Sequence, residues 1–434
     1  MTDAYRQTVE QLTARGRFGI RLGLGRTRAL LRRFGNPERK LPGVLIAGTN
    51  GKGSVQALVG ATLGEAGYRV GQTPKPHLSD YRERIVVGGQ PIAPDDFADV
   101  VGEVLEQAQR IERRLGPPTE FEALTCAAFV WFARAGVEVG VIEVGLGGRL
   151  DATNAWQGGV SAITNVDLDH IEILGPTIAA IAREKAQIIK RGDSAAVTGA
   201  TGKGLEVIRR RAARVAVPLR MVEPLRVVAS DRTGIDVDTD RGPLHIGLLG
   251  RHQAANGALA LAIIDALADA GIATTPWSAL ERALREAKWP GRLELLSLGP
   301  GGPDVLLDGA HNPHGAAALA AALDELRPDL SAGRSTLLIG VVREKDLAGL
   351  LAPLRASAAL RQAAVIATRV PDTPRSNEPA AVALAWGVGA RTIDDTDDAL
   401  AAAIALARQA GGPLVIAGSL YLVGHVRDKL IGER

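Results

Sequence analysis

Apolar residues along this chain gather in short runs that end in glycine or polar loops, and stretches with helical spacing lie between most of them. VLIA (44–47) has the form of a buried strand. Val55, Leu58, Val59, Leu63 and Ala66 then recur at helical intervals until Gly67 stops the pattern. VGVIEVG (139–145), VSAIT (160–164), VLLDG (305–309), STLLIGV (335–341), AAVIAT (363–368) and PLVIAGS (413–419) repeat the strand form. Apolar runs alternating with helical patterns predict an α/β fold of parallel sheets covered by helices.

Residues 221–249 break that rhythm with short alternating segments such as GIDVDTD, which predict an antiparallel patch. WPGR (289–292) follows a helix-like stretch and precedes a fresh strand-helix series, so a domain boundary is expected near Pro290, with domains at 1–290 and 291–434. At 434 residues the chain also exceeds the size at which one core stops growing. No G-x-G-x-x-G occurs, because GLGGRL (145–150) and GLGRTR (23–28) both lack the last glycine. Dinucleotide binding is therefore disfavoured.

Composition narrows the partners. Hydrophobic residues make up 46% and charged residues 23%, ordinary values for a globular protein, and a formal charge of +3 gives no argument for nucleic acid or membrane. A single cysteine, Cys126, rules out an internal disulfide framework and fits a reducing compartment. The opening MTDAYRQTVEQLTARG lacks an apolar run of signal-peptide type, so a cytoplasmic protein is expected. Only nine of the 51 basic residues are lysines, which makes each lysine in a loop or on an apolar face worth inspecting.

IAGTNGKGSV (46–55) approaches the phosphate-loop motif G-x-x-x-x-G-K-[ST], but Gly53 follows Lys52 and the hydroxyl of Ser54 arrives one residue late. Backbone N–H groups and the dipole at a helix start favour an anion there, and Lys52 adds charge for phosphates. A plain glycine turn capping the helix is the alternative. Glu143, near the end of an apolar run, stands where open α/β sheets bind ligands; it could hold a hard cation or pair with an arginine. His170 closes NVDLDH (165–170) after the next strand, a possible second-ion ligand or a structural histidine.

In TIAAIAREKAQIIKRGD (177–193), Ile178, Ile181, Ile188 and Ile189 share one helical face at about 100° per residue, with Lys185 in its middle. Desolvation there favours the neutral amine, which can add carbon dioxide to give a carbamate; a snorkelling lysine or a pair with Glu184 competes. In the second half, Asp308 stands at a strand end in VLLDGAHNPHG (305–315), with His311 and Asn312 in the loop before a helix. Arg292 in WPGR and Asn256 in GRHQAANGALAL are polar groups without an evident structural task.

Together, GTNGKGS, EVGLGGRLDATN, DLDHIEILG, IAREKAQIIK, GRHQAAN, WPGRLE, DGAHNPHG and GSLYLVG resemble the folylpolyglutamate synthase and dihydrofolate synthase branch of the Mur ligase superfamily, in family order from about residue 18 onward. The resemblance implies a P-loop-type parallel-sheet ATPase domain with an N-terminal arm, followed by a smaller Rossmann-like glutamate-ligase domain. It implies an ATP phosphate loop at Gly51, Lys52, Gly53 and Ser54, and nucleotide contacts at Asn256, Arg292, Asp308 and His311. Magnesium, in two ions, is implied at Ser54, Glu143 and His170, with a carbamate on Lys185 and catalytic roles for Lys52, Lys185 and His170. Gly23, Leu24, Phe121, Glu122, Leu150, Asp151 and Ala152 match a pteridine-side pocket.

The implied activity is ATP-dependent addition of L-glutamate to dihydropteroate, to the γ-carboxylate of reduced folates, or to both, through an acyl phosphate. The partners expected are small molecules, with no nucleic acid or membrane, and a monomer is expected. A ligase restricted to folates, or a ligase-fold ATPase or binding protein that has lost ligation, are the alternatives. Three positions depart from the family's usual pattern: Lys75 in KPHL where a metal-binding serine is usual, Gln187 where glycine is common, and Gly25 where glutamate often follows Gly-Leu. An ammonium cannot ligate a cation.

Overall fold

The computed structural model describes residues 2–18, 22–299, 301–371 and 373–432. The chain divides into two compact units, residues 1–225 with 255–284, and residues 226–254 with 285–434.

The first unit is built on helices α1 (Asp3–Thr13) and α2 (Gly25–Arg33), strand β1 (Gly43–Ala47), helix α3 (Lys52–Glu65) and strands β2 (Val70–Thr73), β3 (Val86–Val87) and β4 (Gln90–Pro91). Helices α4 (Pro94–Leu115) and α5 (Glu120–Arg134), strands β5 (Val139–Glu143) and β6 (Gly159–Ile163), helices α6 (Ile171–Leu174) and α7 (Ile178–Ala186), strand β7 (Ala195–Thr198), helix α8 (Gly202–Val215) and strand β8 (Leu219–Met221) follow. Eight strands form one sheet in the order β4-β3-β2-β5-β1-β6-β7-β8. Only β3 and β4 run antiparallel to their neighbours.

β1 and β5 are buried throughout, which is why both read as unbroken apolar runs rather than as alternating ones. Where β1 starts, the backbone of β5 comes so close that a Cβ on Gly43 would lie 1.9 Å from Gly140 O. Trp156, wholly buried, donates from Nε1 to Leu41 O at 2.9 Å and packs on Phe129. α5 opens with a capping box in which Thr119 and Glu122 satisfy each other's backbone N–H groups. Its Glu122 also takes a two-oxygen contact from Arg26 Nε, at 3.0 and 2.8 Å.

The second unit contains the predicted antiparallel patch as strands β9 (Arg226–Asp231), β10 (Gly234–Thr239) and β11 (Gly242–Ile246). Helices α9 (Gln253–Asp269) and α10 (Trp277–Glu286) carry the chain mostly through the first unit before it returns. Strands β12 (Glu294–Ser297) and β13 (Asp304–Asp308), helix α11 (Pro313–Leu326), strand β14 (Thr336–Ile339), helix α12 (Leu347–Ala356) and strand β15 (Ala364–Ala367) come next. Helix α13 (Pro379–Trp386), strand β16 (Ala390–Thr392), helix α14 (Thr396–Ala410), strand β17 (Leu414–Ala417) and helix α15 (Leu420–Gly432) complete it. Its six-stranded sheet has the order β12-β13-β17-β14-β15-β16, parallel apart from the edge strand β12. Among the described residues no helix is long and apolar enough to cross a membrane.

One helix is shorter than its pattern. The apolar spacing from Ile178 to Ile189 suggests a continuous helix, but α7 stops at Ala186. Ile188 and Ile189 then bond back three residues, to Lys185 O and Ala186 O, and the Asp193 carboxylate accepts from Lys190 N at 2.9 Å. That carboxylate holds a turn where the periodicity alone continues a helix.

Candidate active site

β1 delivers the chain into the loop Gly48–Gly51, and α3 starts at Lys52 with its N-terminus facing that loop. Two glycines are obligatory there. A Cβ on Gly48 would lie 1.8 Å from Thr164 Oγ1, and one on Gly51, whose φ is 80°, would lie 2.3 Å from Asn256 Oδ1. Asn256 of α9 is thus brought against the phosphate-type loop, and it is buried. The segment after β6 braces the loop: Thr49 N donates to Asn165 O at 3.1 Å, and Asn50 N donates to Asn165 Oδ1 at 2.9 Å. Thr49 Oγ1 and Asp167 exchange two further bonds, at 3.1 and 3.0 Å. Thr49, Thr164, Asn165 and Asp167 escape sequence reasoning, because each carries its role through a neighbour 114 to 118 residues away.

Lys52 Nζ donates to the carbonyls of Gly48 and Thr49, each at 3.1 Å. Lys185 Nζ donates to the same Gly48 carbonyl at 2.8 Å. The lysine picked out on the apolar face of α7 therefore reaches the phosphate-type loop. Only 4% of Lys185 is exposed, and its amine is pushed down to about 7, first by burial and then by the Lys52 charge. Near neutral pH much of it is free amine, the form that reacts with carbon dioxide.

Glu143 ends β5, buried, with Oε2 accepting from Lys75 N at 3.2 Å and its own N–H donating to Thr73 Oγ1 at 3.3 Å. The Lys75 ammonium donates to the Glu143 carbonyl and to Thr73 Oγ1. Burial lowers it to about 8, while Asp151 and Glu143 oppose the fall. His170 follows the Asn165–Asp167 brace and takes a left-handed φ of 49°. Its ring is 45% exposed, with Nε2 3.8 Å from Asp169 Oδ2. Among the described residues no group of three His, Cys, Asp or Glu side chains gathers to hold a metal ion.

Several of the residues expected on the pteridine side also lie near one another. Gly23 N donates to Leu150 O at 3.4 Å, joining the LGLGR stretch to GRLDAT, and Leu24 sits at the N-cap of α2. A Cβ on Gly145 would lie 2.8 Å from the Phe121 ring and 3.2 Å from Asp151 Oδ2. Asp151 accepts from Leu146 N and from Thr153, closing the one-turn helix that starts at Ala152. Phe121 and Asp151 thus both border Gly145, and the Lys75 ammonium lies 5.0 Å from the Phe121 ring centre. Glu122 is different: capping and Arg26 already engage its carboxylate.

In the second unit, Asp308 accepts from Leu293 N and Ala310 N, both at 2.8 Å, so its two oxygens tie the WPGR turn to the DGAHNP loop. Burial raises its pKa, against the charge of Arg292 and these two N–H groups. Leu293, held this way, has a φ of 47°. His311 Nδ1 lies 2.8 Å from Gly309 O, and Asn312 caps α11 by accepting from Gly315 N.

Comparison with known proteins places this geometry. The Mur ligase middle domain matches residues 46–264, and the Mur ligase glutamate ligase domain matches residues 291–420. A dihydrofolate synthase/folylpolyglutamate synthase of Bacillus subtilis (strain 168) is 32% identical over 440 residues, covering 99% of this chain and 100% of that protein. One from Mycobacterium tuberculosis is 34% identical over 426 residues, covering 92% of this chain and 85% of its own. The structure of Mycobacterium tuberculosis folylpolyglutamate synthase complexed with ADP superposes with a TM-score of 0.88 at 32% identity, over 98% of each chain. E. coli FolC in complex with DHPP and ADP gives 0.84 at 29% identity, again over 98% of each.

Proposed function

The chain belongs to the Mur ligase family, and from that premise we propose that it is an ATP-dependent ligase joining L-glutamate to dihydropteroate and to the γ-carboxylate of reduced folates. The observation that carries this reading is the meeting of Lys52 and Lys185 at the Gly48 carbonyl. A phosphate loop alone serves any nucleotide hydrolase; a buried lysine beside it, its amine pushed down to about 7, is what a ligase with a carbamate needs.

In the reaction, a carboxylate oxygen of the acceptor attacks the γ-phosphorus of ATP, and ADP leaves. The amine of glutamate then attacks the acyl carbon of the acyl phosphate, loses a proton, and inorganic phosphate departs. Little covalent help is required for the first step; positioning and charge neutralisation dominate. The amides at the start of α3, including Gly53, with Lys52, cradle the phosphates, and Asn256 packs at Gly51 to fix the loop's shape. Arg292, Asp308 and His311 are assigned to the nucleotide as well, and 1–290 and 291–434 to the ATP-binding and glutamate-ligase domains. Gly23, Leu24, Phe121, Leu150, Asp151 and Ala152 form the wall for the pterin end of the acceptor, with Glu122 behind them.

The donor chemistry of the site fits magnesium. Glu143 offers a buried carboxylate at a strand end, and Ser54 a buried hydroxyl in the first turn of α3, both hard oxygens. His170 lies on the segment that braces the phosphate loop and is assigned to magnesium as well. Magnesium, when bound, neutralises phosphate charge and polarises the transferring group. Lys185, if carbamylated, would place an anion at the loop to help hold the metal. Purified chain incubated with ATP and magnesium should release ADP only when both glutamate and a pterin acceptor are present. ADP release indifferent to glutamate would favour a ligase-fold ATPase instead.

A further inference from the structure

The Lys75 side chain occupies a place built for a cation. Thr73 and Glu143 end neighbouring parallel strands, and their hydroxyl and carbonyl oxygens both accept from the Lys75 ammonium. The Glu143 carboxylate takes the Lys75 backbone N–H at 3.2 Å, and the face of Phe121 lies 5.0 Å from Nζ. Asp151 and Glu143 act on the ammonium as attractive charges. A carbonyl, a hydroxyl and nearby carboxylates are the oxygen donors that a hard divalent ion takes. Here the carbonyl and hydroxyl lone pairs are directed at an ammonium, and a divalent ion cannot share that position with one.

The geometry points to Lys75 as a built-in monovalent replacement for the second magnesium ion of the ligase reaction, leaving the nucleotide-loaded protein with one divalent ion. The inference rests on the ligase reading and concerns this chain's own residues. Two of the three ammonium N–H groups are spent on Glu143 and Thr73. On this inference the third serves the acceptor carboxylate, whose charge it offsets as the acyl phosphate forms. Lys75 is in this sense a positioning and charge-compensating residue for the acceptor.

The test counts ions rather than turnover. Mn2+ is titrated into the full chain with a non-hydrolysable ATP analogue, and free Mn2+ is read by electron paramagnetic resonance. The wild-type protein should hold one Mn2+ per chain. Lys75→Ser, which restores a hydroxyl and removes the charge, should hold two. Lys75→Met, which removes the charge without giving a donor, should remain at one, with a raised KM for the acceptor and unchanged analogue affinity. Two ions on the wild-type chain, or one on a folded Lys75→Ser protein, overturns the inference. If Lys75→Ser does not fold, the wild-type count decides alone. A chain that holds two ions yet releases ADP only with glutamate and acceptor loses this inference and keeps the ligase reading. One ion with glutamate-indifferent ADP release overturns the ligase reading and, with it, the acceptor role of Lys75.

Discussion

Lys185 Nζ lies 2.8 Å from Gly48 O, the carbonyl that also accepts from Lys52 Nζ at 3.1 Å. Two cationic side chains on one carbonyl repel each other, and with burial this favours the neutral amine of the more enclosed Lys185. A residue that in sequence looks like a misplaced lysine on an apolar face is therefore held at the loop before α3, where burial and the Lys52 charge make its amine give up a proton more readily.

Removing that amine should stop ligation. Lys185→Ala should lower glutamate-dependent turnover by about 10²-fold or more, the scale of losing one preorganised electrostatic group. Short carboxylic acids added to the assay should restore part of it, by supplying the anion that the carbamate would provide. Native mass spectrometry of the wild-type chain should show the mass of one added carbon dioxide, absent from the variant. Near-normal turnover by Lys185→Ala would sink the carbamate role.

The same amine makes stability depend on pH. Between about 7 and its ordinary 10.5 the unfolded chain binds a proton there that the folded chain does not, so stability rises with pH across that window. The cost is fully present below the window, on the order of a few kcal/mol. In carbon-dioxide-free buffer, Lys185→Met should therefore be more stable than wild type at about pH 6 and lose that advantage toward about pH 10. Urea unfolding at the two pH values measures it, and a difference that does not vary with pH contradicts the assignment.

Gly51 tests the phosphate loop. An added methyl would meet Asn256 Oδ1 at 2.3 Å, in a backbone conformation that alanine resists. Gly51→Ala should weaken ADP binding by roughly tenfold or more while the fold persists, because the loop must open to admit the methyl. Calorimetric titration with ADP reads this directly, and unchanged affinity would separate the loop from the nucleotide.

Glu122 and Gly145 should separate fold from acceptor binding. Glu122→Ala removes the carboxylate that Arg26 Nε meets and the capping box of α5, so it should cost about 2 kcal/mol of stability. Gly145→Ala instead pushes on the Phe121 ring, 2.8 Å from the new methyl. It should raise the KM for dihydropteroate by roughly tenfold with ADP affinity unchanged. Thermal melts and acceptor titrations distinguish the two, and a stability loss without a KM change in Gly145→Ala would remove Phe121 from the pocket wall.

Most strands were legible because parallel strands covered on both faces leave continuous apolar runs, as in β1 and β5. The antiparallel patch at 226–246 was legible from its alternation, although its grouping with the second unit depends on contacts that no local pattern reports. α7 was overextended because apolar spacing carries no record of the Asp193 carboxylate that stops it. Lys185 stood out by its position on an apolar face, but that position fits a snorkelling lysine equally, and only the resemblance singled it out as a candidate for the carbamate. Thr49, Asn165 and Asp167 were not, since a polar residue in a loop looks the same whether it meets water or braces a second loop. Lys75 stood out only as a departure from a pattern, and its enclosure between Thr73 and Glu143 exists only in three dimensions.

The most direct test of ligation through an acyl phosphate follows one oxygen. Dihydropteroate is labelled with 18O in its carboxylate and incubated with the protein, ATP, magnesium and glutamate. The attacking carboxylate oxygen should leave with the phosphoryl group, so that each inorganic phosphate released carries one 18O atom and the amide product keeps the other. Unlabelled phosphate released in step with ADP would mean that water attacks ATP and that no acyl phosphate forms.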